Sequence, residues 1–115
     1  MSNLVNEGGF ALHKAASVDV NATITADVDA AVAAQAGLRL VGFSTKETAG
    51  TPAAATAVIV NGATGAAGTA VAYINLAASG SNTVWLGDGV DCSSGISIDW
   101  LTGQLDVALF YKVVQ

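Results

Sequence analysis

Residues 17–34 read SVDVNATITADVDAAVAA, and the apolar side chains fall on one parity. Even positions carry Val18, Val20, Ala22, Ile24, Ala26, Val28, Ala30, Val32 and Ala34, whereas odd positions begin Ser17, Asp19, Asn21, Thr23, Thr25, Asp27 and Asp29. Successive side chains of a strand point to opposite faces of its sheet, so this period of two predicts β structure with one dry and one wet face. Residues 27–35 are Ala-rich enough to allow a helix, with Asp27 as N-cap and Gly37 as C-cap. Strand is preferred, because the parity continues through Val28 and Val32 while neither i+3 nor i+4 spacing leaves a clean polar face.

Beyond Gly37 the chain breaks into short apolar runs closed by turn residues, at spacings typical of an all-β domain. Residues 38–45 place Leu38 and Leu40 against Val41 and Phe43, which predicts a central strand covered on both faces. KETAGTP (46–52) is a polar loop, residues 54–60 form a strand ending at Asn61-Gly62, and GATGAAG (62–68) is a flexible connection. Residues 69–77 alternate again, with Ala70, Ala72, Ile74 and Leu76 facing one way and Val71, Tyr73 and Asn75 the other. A short strand over 83–86 leads into a loop from Gly87 to Gly95, and Ile96, Ile98 and Trp100 then share a face. Thr102-Gly103-Gln104 reads as a tight hairpin into a last strand, whose Leu105, Val107, Leu109, Tyr111 and Val113 share a parity. About eight strands in roughly 100 residues predict a two-sheet β-sandwich, jelly-roll-like or immunoglobulin-like. The Cys…Trp…Cys marker of true immunoglobulin domains is missing.

Composition agrees with one compact domain. The chain has 115 residues, of which 52% are hydrophobic and 11% charged, against ~25% charged for an ordinary soluble domain, so intrinsic disorder is excluded. With 23 Ala, 13 Gly and 14 Val, the core is expected to be thin, and so few surface charges suggest neighbours. Residues 1–16 have no strand pattern and read as an N-terminal arm, leaving 17–115 as the β-sandwich domain. The net charge of −5 and the scattered cations Lys14, Arg39, Lys46 and Lys112 argue against nucleic-acid binding. No apolar run reaches the roughly 18 residues of a membrane span, and MSNLVNEGGF lacks the regions of a signal peptide, so synthesis in a cytoplasm is expected.

Reactive groups are scarce. The single His13 and single Cys92 stand 79 positions apart, too few parts for a Ser/His/Asp or Cys/His arrangement, and no catalytic residue is assigned. Zinc needs three or four such ligands, and no cofactor or metal is expected. Gly87-Asp88-Gly89-Val90-Asp91, with Asp99 and Asp106, contains carboxylates suited to calcium but lacks the ligand spacing of a calcium loop; turn-capping aspartates are the preferred reading. GATGAAG lacks the Lys-Ser/Thr of a phosphate loop, and the sequon Asn21-Ala22-Thr23 has no expected secretory context. Among the aromatics Tyr73, Trp85, Trp100, Phe110 and Tyr111, Trp100 is expected in the core or an interface, and Trp85 is the candidate for an exposed sugar-stacking ring.

The order and spacing of Gly95-Ile96-Ser97-Ile98-Asp99, Thr102-Gly103 and Asp106-Val107-Ala108-Leu109-Phe110-Tyr111 resemble the small all-β virion proteins of tailed bacteriophages. Ala36-Gly37-Leu38-Arg39-Leu40-Val41-Gly42-Phe43 and Ala72-Tyr73-Ile74-Asn75-Leu76-Ala77 are similar to that group as well, so the resemblance spans residues 18–111 by strand-and-turn pattern. It implies a jelly-roll-like sandwich and a symmetric oligomer, usually a trimer. It further implies a place on the capsid surface as a decoration or cement protein that bridges major capsid subunits. Other members sit in tails or fibres, so a carbohydrate- or receptor-binding module of a tail or head fibre is the alternative. The resemblance carries over no catalytic residue, and the partners it implies are the major capsid protein and the chain itself, without nucleic acid or membrane.

Overall fold

The computed structural model describes the backbone of residues 17–114 and the side chains of residues 23–114. The arm expected over residues 1–16, including His13, lies outside the described residues, as do the side chains of the sequon residues Asn21 and Ala22. The chain forms β1 (Ser17–Ile24), β2 (Val28–Val32), β3 (Leu38–Glu47), β4 (Ala55–Asn61), β5 (Thr69–Leu76), β6 (Ser81–Asp91), β7 (Ile96–Thr102) and β8 (Leu105–Val113). One sheet has the order β1-β8-β3-β6 and the other β2-β7-β4-β5. Every ladder is antiparallel.

This order follows from folding the chain in half. The turn between β4 and β5 is the fold point, so β4 pairs with β5, β3 with β6, β2 with β7 and β1 with β8. The long double ribbon then winds so that successive pairs fall in alternate sheets, which is the jelly-roll form of the two-sheet β-sandwich. Only β4 and β5 are joined within one sheet; every other connection crosses between sheets.

Three local expectations are corrected by this winding. Residues 17–34 are extended with no helix, but the parity pattern is cut at residues 25–27 and its halves lie in different sheets. Asp27 caps no helix; its Oδ1 accepts the Trp100 amide at 2.9 Å, and Asp29 Oδ1 accepts the Gly65 amide at 2.6 Å. Ala30, at φ 48°, then interrupts β2 in a bulge. Thr102-Gly103-Gln104 is not a hairpin, because β7 and β8 belong to opposite sheets. Gly103 makes the crossing at φ 79°, where a Cβ would lie 2.5 Å from the Ala54 carbonyl oxygen, and its own carbonyl accepts Trp100 Nε1 at 2.8 Å. Finally, β6 continues from Ser81 to Asp91 rather than ending at Leu86.

A bulge also explains why residues 38–45 are apolar on both parities. The β3–β8 register passes from Leu40↔Tyr111 to Gly42↔Phe110, leaving Val41 as an extra residue. Leu38 and Leu40 before it, and Phe43 and Thr45 after it, therefore face the same core, and the strand is not covered on both sides as expected. The core joins Leu38, Leu40, Phe43, Leu105, Val107 and Leu109 of one sheet to Ala55, Ala57, Ile59, Ile74, Ile96 and Ile98 of the other. Small residues such as Ala55 and Ala57 let the sheets approach, so truncating a central Ile59 or Ile98 to Ala should cost about 2–5 kcal/mol.

Candidate interaction surface

The aromatic reading of Trp85 leads to the outer face of the β1-β8-β3-β6 sheet. Gly42, on the outward parity of β3, is paired with Trp85 on one side and Phe110 on the other. Having no side chain, Gly42 leaves a gap that the Trp85 ring enters; a Cβ there would come within 2.7 Å of Trp85 Cε3. Trp85 thereby stacks on Phe110 with ring centroids 5.2 Å apart and planes 21° apart. Its side chain is nevertheless 67% exposed, so the stack forms a shelf open to solvent. One row along, the hydroxyls of Ser44 and Thr83 lie 3.1 Å apart, and Lys46 pairs in register with Asp106 and Ser81 beyond them.

Charge gathers on the other side of the shelf. Arg39 is the register partner of both Lys112 and Asp91, which sets two cations side by side. Arg39 Nη1 also donates to the carbonyls of Asp88 and Gly89, at 3.2 and 3.4 Å, and so braces the bulge in β6 where Leu40↔Val90 gives way to Gly42↔Trp85.

The opposite sheet has a different outer face. Tyr73 of β5 is 76% exposed and shares a row with Val58 of β4 and Asp99 of β7. The connection over residues 62–68 is pinned at its Gly65 amide by Asp29 and at its Gly62 carbonyl by the Ser97 hydroxyl at 2.7 Å. That hydroxyl also accepts the Ala30 amide at 2.8 Å, so one buried Ser97 ties together β2, β7 and the β4–β5 turn.

The remaining chemical candidates are dispersed. Cys92 is a free, fully buried thiol, and burial pushes its pKa up, away from nucleophilic character. Asp88 and Asp91 lie on β6, Asp99 on β7 of the other sheet and Asp106 on β8; Asp91 Oδ2 accepts the Ser93 hydroxyl at 3.1 Å. No group of three or more His, Cys, Asp or Glu placed to hold a metal ion occurs among the described residues. Trp100 packs partly buried against the core, as its parity predicts. Glu47, expected in the polar loop 46–52, is instead a buried clasp. Its Oε1 accepts the Ser79 amide and its Oε2 the Ala49 amide, each at 2.6 Å.

Comparison with protein-family models, with curated proteins and with solved structures returns no match to this chain.

Proposed function

We propose that the protein is a non-enzymatic virion structural protein, a capsid decoration or cement protein that bridges major capsid subunits as a homo-oligomer, most simply a trimer. The observation that carries this reading is the Trp85–Phe110 stack, with Trp85 exposed, on the outer sheet face of a jelly roll. An apolar surface on a rigid, sparsely charged sandwich suits contact between proteins. The phage resemblance of residues 18–111 supplies the setting: the outer capsid surface, after synthesis in the host cytoplasm. The acidic balance of −5 suits a position away from packaged nucleic acid. Residues 1–16, which carry Leu4, Val5, Phe10 and Leu12, are the proposed bridging arm.

A second reading, a carbohydrate- or receptor-binding module of a tail or head fibre, is favoured by one feature: Trp85 lies exposed beside the Ser44 and Thr83 hydroxyls. An aromatic face next to hydroxyls is what a sugar ring needs for stacking and hydrogen bonding. Co-sedimentation with undecorated heads separates the two. The first reading expects the full chain to pellet with the heads and a chain lacking residues 1–9 to remain in the supernatant. Failure of both to pellet, together with Trp85-dependent signals on a glycan array, would replace it with the second.

A further inference from the structure

Charge is missing from one side of the sandwich. Between Glu47 and Asp88 the chain has no Asp, Glu, Lys, Arg or His, a run of more than a third of its residues. That run forms β4, β5 and β6 as far as Gly87. β5 is the last strand of one sheet, β6 is the last strand of the other, and the two touch. Together they make one narrow side of the sandwich, while β1 and β2, with Asp19 and Asp29, make the opposite side. The strands between also carry charge, with Arg39 and Lys46 on β3, Asp99 on β7, and Asp106 and Lys112 on β8.

The β5–β6 side is also a place where the core reaches the surface. Val71 and Ala72 of β5 and Val84 and Leu86 of β6 pack against the core but are only partly buried. On the opposite side Val28 and Val32 do the same, with Asp27 and Asp29 beside them. Tyr73 and Trp85, the two most exposed large hydrophobic residues among those described, flank the β5–β6 seam, one on each strand. Each of these strands leaves one edge without a ladder partner among the described residues. Soluble proteins guard open edges with charged side chains, and an apolar edge left without them is a template for association.

We propose that the β5–β6 side is where copies of this chain meet, the seam of each turned toward a common symmetry axis. This rests on the homo-oligomeric part of the proposed function and names the surface that makes the oligomer. The occupant follows from charge. Copies that each carry a net charge of −5 repel, and among the described residues this side is the one on which they approach without setting like charges together. A single side turned to an axis meets its own copies in a closed pair or a closed ring of three. Such a contact takes the seam out of water, with the rings of Tyr73 and Trp85 beside it.

The test places one charge at the seam of the full chain. Asn75 of β5 and Asn82 of β6 are exposed, and each variant is first shown by thermal melting to remain folded. Asn75→Lys brings the chain one charge closer to neutral, so overall charge alone predicts tighter association. The proposal predicts the reverse. Asn75→Lys and Asn82→Lys should each weaken self-association at least about tenfold at low salt, read by light scattering over a dilution series. Thr25→Lys, in the exposed turn between β1 and β2, should not weaken it. Asn75→Glu should also dissociate, and an equal mixture of Asn75→Lys with Asn75→Glu should recover oligomers, because like sides then bring opposite charges together. Undiminished assembly of both Asn75→Lys and Asn82→Lys would overturn the proposal while leaving homo-oligomerisation intact. Equal weakening by Thr25→Lys, or a mixture that recovers nothing, would overturn it as well. A monomeric wild type would remove homo-oligomerisation itself and this proposal with it.

Discussion

Trp85 and Phe110 stack across Gly42, three residues from three adjacent strands brought into one row by the β6-β3-β8 pairing. The shelf depends on Gly42 because a Cβ at that position would meet not only the indole but also the Val84 carbonyl oxygen, at 2.8 Å. A backbone atom cannot swing aside as a side-chain end can. Gly42→Ala should therefore destabilise the fold by about 1–3 kcal/mol in urea titration and displace the indole. A changed Trp emission maximum in the folded variant would register the displacement; unchanged stability and emission would show that the strand absorbs a methyl group without strain.

Ser97 supports the opposite sheet. Its hydroxyl is buried and doubly used, accepting from the Ala30 amide and donating to the Gly62 carbonyl. Ser97→Ala removes one atom and leaves both backbone groups without that partner, so a loss of about 1–3 kcal/mol is expected from chemical denaturation. A loss near zero would mean that Ala30 and Gly62 find replacement partners.

Glu47 makes stability depend on acid. Its carboxyl is held below the ordinary glutamate range chiefly by the Ser79 amide; burial opposes this, and the Ala49 and Ala53 amides add to it. A folded-state pKa below the unfolded value of about 4.3 stabilises the fold above that pH. The stabilisation is lost as pH falls through the lower folded-state value. The melting temperature of the wild type should therefore drop more steeply on acidification than that of Glu47→Gln, with the two curves converging in acid. Parallel curves across the whole range would show that the clasp contributes nothing pH-dependent.

Cys92 reports on opening of the core. Because the thiol is fully buried and burial raises its pKa, a thiol reagent should react with the native protein only as fast as the fold opens. Urea should accelerate labelling steeply, and Cys92→Ser should cost no more than ~1–2 kcal/mol. Immediate labelling in native buffer would contradict the packing around residue 92.

Much of this architecture is visible in the chain before folding, because half-buried strands impose their period directly on the sequence. Residues 105–113 show it best: Leu105, Val107 and Leu109 are buried on the predicted parity. What the period cannot show is where a strand changes sheet. The apolar parity runs unbroken past Thr25 and Ala26, although the chain leaves one sheet and joins the other at that turn. Bulges mislead in the opposite direction: the extra Val41 makes a one-sided strand look two-sided. The Trp85–Phe110 shelf was hidden because residues 42, 85 and 110 become neighbours only through the strand order. One signal was present, since a glycine inside the apolar run Val41-Gly42-Phe43 marks a place where something approaches the backbone closely. The Glu47 clasp is hidden in the sequence for a similar reason: its partners Ala49 and Ser79 lie in two connections that meet only when both sheets have formed.

The claim that this jelly roll is a capsid decoration protein is tested most directly by electron cryomicroscopy of the virion that contains it. The account predicts eight-stranded sandwiches in symmetric groups on the outer capsid surface, each touching neighbouring major capsid subunits. A bare capsid lattice, with the sandwich found instead at a tail or fibre tip, would contradict it.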